Sequence, residues 1–497
     1  MILLKRKLPI FYSALLLTGV NLLLRLVSTS FQVHISARIG AAGVGLLQLV
    51  MSVGSLAMTA GMAGVRTATM YLTAEQLGRK QPGSVIWVLS GCFAYSLLCS
   101  GSIALLLYTV APYLAQNWIG RPETLGALRL FAMFLPLTCL CGCMTGYFTA
   151  ANRIGTLAMV EIGEQLCYMA VTMGALHFWA GSDPAHACEA VVLGSGVSAC
   201  FTLICLVILR LLERQKNAAK IPVRSRLLAA AVPLALADDV KAGISTTENL
   251  MVPKRLALYP GELTPLATFG MVCGMVFPVM MFPAAILFAL AELLIPELAR
   301  CNAAGSTARS RYLVKRSLRI AMLYGCFCCG ILFLIAEPLC TALYGDSSAA
   351  AYLRQYSLLV PMLYCDAVTD AMTKGLGQQK ICVRNNIVTS TTDVVLLFLL
   401  LPKFGMQGYF FSFLITHLIN FLLSLFLLMR ITKLRIPFYI PALTCAGFAI
   451  AIFAAGFLPG TAGRIAAFLS ISLSLLTLFG IVSMADIRWL KGLIKRN

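Results

Sequence analysis

Apolar runs follow one another along almost the whole chain, separated by short breaks rich in glycine or charge. Most runs hold about 20 residues, the length a helix needs to cross a bilayer. The pattern predicts about fourteen spans, with limits near 9–35, 44–75, 84–113, 126–150, 155–179, 187–211, 226–250, 264–296, 313–343, 351–374, 381–402, 406–430, 436–458 and 463–487. Polar residues inside these runs recur at helical spacing. In span 1, Asn21, Arg25, Ser28, Thr29 and Gln32 share one side of a helix. After the break Arg38-Ile39-Gly40-Ala41-Ala42-Gly43, span 2 repeats the arrangement with Gln48, Ser52, Ser55, Thr59 and Arg66. An arginine at the bilayer centre costs roughly 2.5–3.5 kcal/mol on insertion scales. Two adjacent stripes that each hold one predict the wall of a wet, cationic cavity. The rest of the chain is expected to enclose that cavity and open it to alternate sides.

Composition agrees with the pattern. The 497 residues are 60% hydrophobic and only 12% charged, against about 25% charged in soluble domains, and mean hydropathy is +0.88. The expected fold class is an all-α polytopic membrane protein with no room for a soluble domain. Met1 to Lys7 is basic and runs into span 1 without a small-residue cleavage site, so an uncleaved span is expected and not a signal peptide. A net charge of +20 on a soluble protein would suggest nucleic acid. Here the charge lies in short loops and reports orientation instead. Lys5-Arg6-Lys7, Arg79-Lys80, Arg210 to Arg226, Arg300 to Arg316, Arg430 to Arg435 and Arg488 to Arg496 hold most of the 39 basic residues. The intervening loops hold few, among them Arg38, Arg121, Lys254, Arg255, Lys403 and Arg464. That alternation places both termini in the cytoplasm. The eighteen cysteines sit mainly in apolar runs, without metal-ligand spacing or a nearby histidine, and read as small packing residues. No metal site is expected.

The chain also repeats itself. Leu128-Arg129-Leu130-Phe131 with Pro136-Leu137 returns as Leu353-Arg354-Gln355-Tyr356 with Pro361-Met362. Arg38 and Gly40 are echoed by Arg255 and Gly261, and Thr73-Ala74-Glu75 by Ile295-Pro296-Glu297. Each copy crosses an even number of times, so the repeat is parallel, about an axis along the membrane normal. The expected organisation is an N-lobe at 1–212 (spans 1–6), a basic cytoplasmic linker at 213–225, a C-lobe at 226–432 (spans 7–12) and two further helices at 433–497.

Charges within spans are candidates for function because they are expensive. Span 7 carries Asp238, Lys241, Ser245 and Glu248 on one side, with Asp239 alongside. The three carboxylates suit ion or proton coupling, and the alternative is mutual neutralisation of Asp238 and Lys241. Arg25 and Arg66 are candidates for an anionic ligand, because a planar guanidinium bonds two phosphate oxygens at once. They could equally pair with the span 7 carboxylates. Asp366, Asp370 and Lys374 in span 10, Asn385, Thr389 and Asp393 in span 11, and Glu161, Glu164 and Gln165 in span 5 read as packing or gating groups. Pro136, Pro233, Pro278, Pro283 and Pro361 are expected to bend their helices. Gly142-x-x-x-Gly146 and Gly270-x-x-x-Gly274 would permit close helix contact. His34, His177, His186 and His417 are scattered and receive no role.

Several of these motifs resemble a known family. Ala37-Arg38-Ile39-Gly40-Ala41-Ala42-Gly43-Val44-Gly45-Leu46, then Gly64-Val65-Arg66, Leu72 and Ala74-Glu75, resemble the start of the stage V sporulation protein B-like polysaccharide flippases. These belong to the multidrug/oligosaccharidyl-lipid/polysaccharide (MOP) exporter superfamily. Gly146-Tyr147-Phe148, Asn152, Ile162, Glu164 and Gln165 are similar to that family's junction of helices 4 and 5, and Val252-Pro253-Lys254-Arg255-Leu256 to the end of its helix 7. The resemblance covers nearly the whole chain. It implies two six-helix lobes around a V-shaped cavity, with two extra helices that border a groove for a lipid tail. In the related lipid II flippases, arginines on helices 1 and 2 engage the diphosphate. Arg25 and Arg66 stand in similar positions, with Asn21, Ser28, Gln32 and Thr59 beside them. Two departures argue against lipid II itself. Gln32 lies near where those flippases carry a second arginine, and span 8 has no arginine in its apolar body.

The reading that follows is a flippase for an undecaprenyl-diphosphate-linked oligosaccharide, polysaccharide or cell-wall precursor, in a sporulation, peptidoglycan or other polysaccharide setting. It is not an enzyme, and Asp238, Asp239, Lys241, Glu248, Asp366, Asp370, Glu161 and Glu164 are its coupling or gating groups. Its partners are membrane lipids and the lipid-linked saccharide, and no cofactor is expected beyond a coupling H⁺ or Na⁺. The alternative is an H⁺- or Na⁺-coupled multidrug exporter of the same superfamily. A membrane glycosyltransferase or scaffold is more remote, because the single acidic doublet Asp238-Asp239 lies within a span, away from any loop where a sugar nucleotide and metal would meet.

Overall fold

The computed structural model describes residues 10–79, 84–178, 183–212, 224–434 and 439–480. The basic cluster at Lys5 to Lys7, most of the 213–225 linker and the basic carboxy-terminal segment lie outside them. Among the described residues the regular structure is entirely helical. The α-helices are α1 (Ile10–Met62), α2 (Val65–Gly78), α3 (Val85–Tyr113), α4 (Leu125–Ala150), α5 (Ile154–Phe178), α6 (Pro184–Leu211), α7 (Arg224–Leu256), α8 (Pro265–Phe269), α9 (Phe277–Met281), α10 (Ala284–Ala303), α11 (Thr307–Tyr344), α12 (Ala350–Ser357), α13 (Val360–Gly375), α14 (Gln379–Phe404), α15 (Met406–Thr432), α16 (Tyr439–Gly456) and α17 (Thr461–Leu478). Two π-helical stretches, Leu114–Ile119 and Gly270–Val276, extend α3 and join α8 to α9.

Each expected span corresponds to a helix or to a broken pair of helices. By length and apolarity alone, nine helices among the described residues could cross a membrane, or ten if one bent pair is counted as a span. Span 5 (α5) also falls outside the nine, and the rest of the difference has physical causes. Spans 1 and 2 run together in α1, with the bend at Gly40 (φ 71, ψ 171) hidden inside it. Span 7 is a single 33-residue helix whose charged face lowers its apolarity. Span 8 breaks at Phe282-Pro283 and span 10 at Leu358-Leu359, just before Pro361. Pro136 behaves differently and sits within an unbroken α4.

By compactness the chain forms two units, Met1–Gly274 and Met275–Asn497. In the first, α7 lies along α1 and touches α2 and α3. One cluster buries Val65, Ala68 and Leu72 of α2 with Val88 and Cys92 of α3, Cys143 of α4, and Leu227 and Ala231 of α7. Another packs Phe31 and Ile35 of α1 against Leu176 of α5 and Ala187, Ala190 and Val191 of α6. In the second unit α13 is surrounded by α10, α11, α14 and α15. The α16–α17 hairpin docks on α11 through Phe448, Ala451, Ala455 and Phe468 around Cys326 and Leu334.

The expected span 2 is not one helix. It breaks at Ala63 (φ 43) and Gly64 (φ 69), and both residues are left-handed. Gly64 meets two demands at once. Its φ disfavours any side chain, and a Cβ there would fall 2.5 Å from the carbonyl oxygen of Ala231 on α7. A left-handed conformation costs a non-glycine residue about 1–2 kcal/mol, and the steric conflict adds to that. Gly64→Ala is therefore expected to lower the unfolding temperature of the detergent-purified protein. Gly19→Ala, in α1 with nothing within 4 Å of the added methyl, should not. Equal melting of the two variants by differential scanning fluorimetry would count against this account of the break.

Candidate functional site

The break in span 2 decides where Arg66 lies. It begins a new helix at Val65, so Arg66 occupies the first turn of α2. The first N–H groups of a helix lack intrahelical acceptors and carry its positive end. The side chain of Arg66 is exposed. It forms no ion pair among the described residues, and Glu161 on α5 is its electrostatic neighbour. The helix can pass this close to α4 because that helix presents Gly142 and Gly146. A Cβ on Gly146 would fall 2.5 Å from the Arg66 carbonyl oxygen. Across the break, the Tyr95 hydroxyl of α3 donates to the Ala63 carbonyl oxygen at 3.3 Å, and Tyr95 lies in electrostatic contact with Asp239 of α7.

On α1, Arg25, Ser28 and Gln32 are exposed and Thr29 is half-buried. The adjoining face buries Phe31 and Ile35 against α5 and α6, which fixes the direction of the polar stripe. The side chain of Asn21 lies outside the described ones. The stripe proposed from Gln48 to Arg66 does not hold as one face. Ser52 is buried and belongs to a seam with α7, where its carbonyl oxygen accepts from the Thr246 hydroxyl at 3.0 Å and its Oγ from the Asn249 amide at 3.0 Å. Ser55 is exposed, and Thr59 Oγ1 turns back to the Ser55 carbonyl oxygen at 2.9 Å. Arg66 follows on the far side of the break.

The charges of α7 divide in the same way. Asp238 and Lys241 are exposed, and no ion pair joins them among the described residues. Asp239 is half-buried, with one carboxylate oxygen enclosed and without a hydrogen-bond partner. Glu248 is half-buried. On α5, Glu161, Glu164 and Gln165 are all half-buried, and the Gln165 amide nitrogen is enclosed without a partner. At the other end of α2, Glu75 accepts from Arg79 at 2.7 Å and from Arg226 at the start of α7 at 2.5 Å.

The second unit holds a separate polar cluster, which sequence reasoning saw only in part. Asp366 on α13 is 7% exposed and accepts from the Asn420 amide of α15 at 3.0 Å. Its other oxygen lies 3.2 Å from Nδ1 of His417, also on α15. One turn along α13, Asp370 pairs with Lys374 at 2.7 Å and accepts from the Cys382 thiol of α14 at 2.5 Å. Asp393 of α14 is 7% exposed and accepts from the hydroxyls of Ser412 at 2.6 Å and Thr416 at 3.2 Å. His417 and Asn420 were missed. The available signal was the spacing of Ser412, Thr416, Asn420 and Ser424, a polar stripe along an otherwise apolar span.

Comparison with known proteins bears on the fold. No family model matches the chain. A relative, Stage V sporulation protein B of Bacillus subtilis (strain 168), is 22% identical over 411 residues, covering 79% of this chain and 78% of the relative. Among solved structures, the lipid II flippase MurJ in an inward closed conformation superposes with a TM-score of 0.68 at 13% identity, covering 94% of this chain and 98% of that one. An inward-facing multidrug resistance MATE family transporter of the MOP superfamily gives a TM-score of 0.64 at 12% identity, covering 82% and 94%. The chain is a multi-pass membrane protein, helical in its regular structure throughout the described residues, with the fold of the MOP superfamily transporters, and the resemblance read from its sequence holds.

The α1–α7 seam rests on bonds that water cannot replace where it is buried. Thr246→Val keeps the shape and removes the bond to the Ser52 carbonyl oxygen. A loss of about 0.5–1.5 kcal/mol is expected, read as a lower melting temperature in detergent. An unchanged melt would mean that this bond contributes nothing.

Proposed function

We propose that this chain is a flippase that carries a lipid-linked saccharide, bound through its diphosphate, across the cytoplasmic membrane by alternating access. The observation that carries the reading is the break at Ala63-Gly64, which puts Arg66 with an exposed side chain in the first turn of a new helix, one without a side-chain cap. Both features attract an anion, and phosphate fits both. Arg25, on the exposed face of α1 with Ser28 and Gln32, is the second guanidinium assigned to the diphosphate. Glu161 on α5 is the electrostatic neighbour of Arg66 and forms no ion pair with it among the described residues. The sequence relationship to stage V sporulation protein B and the fold shared with a lipid II flippase support a lipid-linked precursor as cargo. The head group enters from the cytoplasmic side, where both termini lie, and the lipid tail stays in the bilayer. No covalent bond is made or broken, so the cycle needs only differential binding in its two orientations.

The fold shared with MATE transporters and the carboxylates Asp238, Asp239 and Glu161 favour a second reading, the export of organic cations. Two exposed arginines oppose it, since like charges repel a cationic cargo. Expression in a drug-sensitive host is expected to give no resistance to cationic dyes, and clear resistance would reverse the preference.

A charge-assisted hydrogen bond contributes about 1.5–3 kcal/mol. A stably folded Arg25→Ala, Arg66→Ala double variant is therefore expected to lose at least about a hundredfold in headgroup translocation by reconstituted vesicles. The Arg25→Lys, Arg66→Lys variant keeps the charge without the fork and should fall in between. Undiminished translocation by the alanine variant would remove the basis of the reading.

A further inference from the structure

At the end of α4 away from Arg66, two opposite charges stand near each other without pairing. Arg129 lies about one turn into α4 and is half-buried, with its Nε enclosed and without a hydrogen-bond partner. Its guanidinium lies over the ring of Tyr108 on α3, 5.1 Å from the centroid. It forms no ion pair among the described residues. The other copy of the sequence repeat supplies what is missing here. There Arg354, the counterpart of Arg129, pairs with Glu337 of α11 at 3.1 Å. The sequence of α3 contains no acidic residue that could do the same. Other carboxylates at this end are taken, Glu123 by Arg121 at 3.7 Å and Asp183 by His186 at 3.4 Å. Glu189 of α6 is half-buried and is in no ion pair among the described residues. Its carboxylate rests on the α4 backbone at Gly126, in the space a Cβ there would take. Gly126 and Arg129 are three residues apart, and such neighbours on a helix are about 5–6 Å from each other. A carboxylate and a guanidinium thus stand about one turn apart along α4, each without a counter-ion, in a fold where unpaired charge is expensive.

The surroundings suit a lipid head. Tyr108, Tyr113 and Trp118 are exposed at this end, and such rings collect at headgroup depth. Leu105 of α3 and Met133 of α4 are each 67% exposed. Leu105 lies about one turn before Tyr108, and Met133 about one turn beyond Arg129, so both stand on the interior side of the charges, where acyl chains run. We propose that Arg129, Tyr108 and Glu189 form a binding site for a membrane phospholipid whose head joins a phosphate to a primary ammonium. The phosphate meets the guanidinium fork, which the Tyr108 ring holds from beneath. The ammonium, two carbons away, donates to Glu189. The tails lie over Leu105 and Met133. An anionic head would satisfy the arginine but set a second negative charge against Glu189, so a head with its own cation fits better. The site is separate from the one assigned to the diphosphate. Gly142, which packs against Arg66, lies roughly 20 Å further along α4 by helical rise. The inference does not depend on what the chain transports.

The test is native mass spectrometry of the full-length protein in detergent, titrated with a diacyl phosphatidylethanolamine. Arg129→Gln and Glu189→Gln are each expected to weaken retention of this lipid by about tenfold or more. Arg354→Gln, at the paired counterpart in the other repeat, should leave it unchanged. Phosphatidylglycerol, which carries the phosphate without an amine, should respond to Glu189→Gln in the opposite sense and bind more tightly. That reversal decides the matter even where Arg129→Gln fails to fold, because a damaged protein cannot gain affinity for one lipid while losing it for the other. Equal phosphatidylethanolamine binding by the parent and a folded Arg129→Gln overturns the site. Weakening of both lipids, or of neither, in Glu189→Gln overturns the assignment of the ammonium. Displacement of the lipid by an equal concentration of inorganic phosphate or phosphoethanolamine shows a site for a soluble anion and overturns the lipid as occupant.

Discussion

Hydrocarbon offers an unpaired polar group nothing to bond with, and this constraint shapes both units of the chain. Backbone that leaves the helix must find another partner, and charge must meet a counter-charge or water. The break at Ala63-Gly64 shows the first requirement being met by neighbours. Tyr95 takes up the Ala63 carbonyl oxygen, and the Ala231 backbone closes over Gly64. The cluster around Asp366 shows the second, met by an amide and an imidazole in place of a lysine. Where the two requirements relax, as at Arg25, Arg66 and Asp238, the side chains are exposed. In a membrane-spanning fold such positions need an aqueous surface.

The two polar sites differ in kind. Around Arg66 an exposed guanidinium stands in the first turn of a helix, with the Glu161 carboxylate as its electrostatic neighbour. Around Asp366 the groups are a carboxylate, an imidazole and an amide joined by hydrogen bonds. The two sites belong to different compact units.

Much of the helical layout was legible, because each rod announces itself as an apolar run of the required length. The breaks were less so. Ala60-Gly61-Met62-Ala63-Gly64 contains the glycines that end a helix, but glycine is common in membrane helices and the apolar run continues through it. The pairs Gly142/Gly146 and Gly270/Gly274 carried little weight as spacing, yet both lie where another helix approaches closely. The alignment of Arg25, Ser28 and Gln32 was legible because helical periodicity is local. The meeting of Asp366 with His417 was not, because 51 residues separate them in sequence and only tertiary packing joins their helices. Ser52 was placed on the exposed stripe by spacing alone. Its burial follows from α7, whose position no local pattern specifies.

The glycines near the bend of α1 carry a consequence of their own. A methyl on Gly270 would fall 2.5 Å from the amide nitrogen of Gly45, and one on Gly45 would fall 2.3 Å from the carbonyl oxygen of Leu266. Here main chain rests on main chain, with no side chain between them. A contact of that kind immobilises no rotamers when it forms and frees none when it parts, so thermal motion meets little entropic resistance in either direction. It is also closed to gradual remodelling. A larger residue on either side must push the two strands of backbone apart, which leaves this joint far less room for sequence drift than the apolar faces around it.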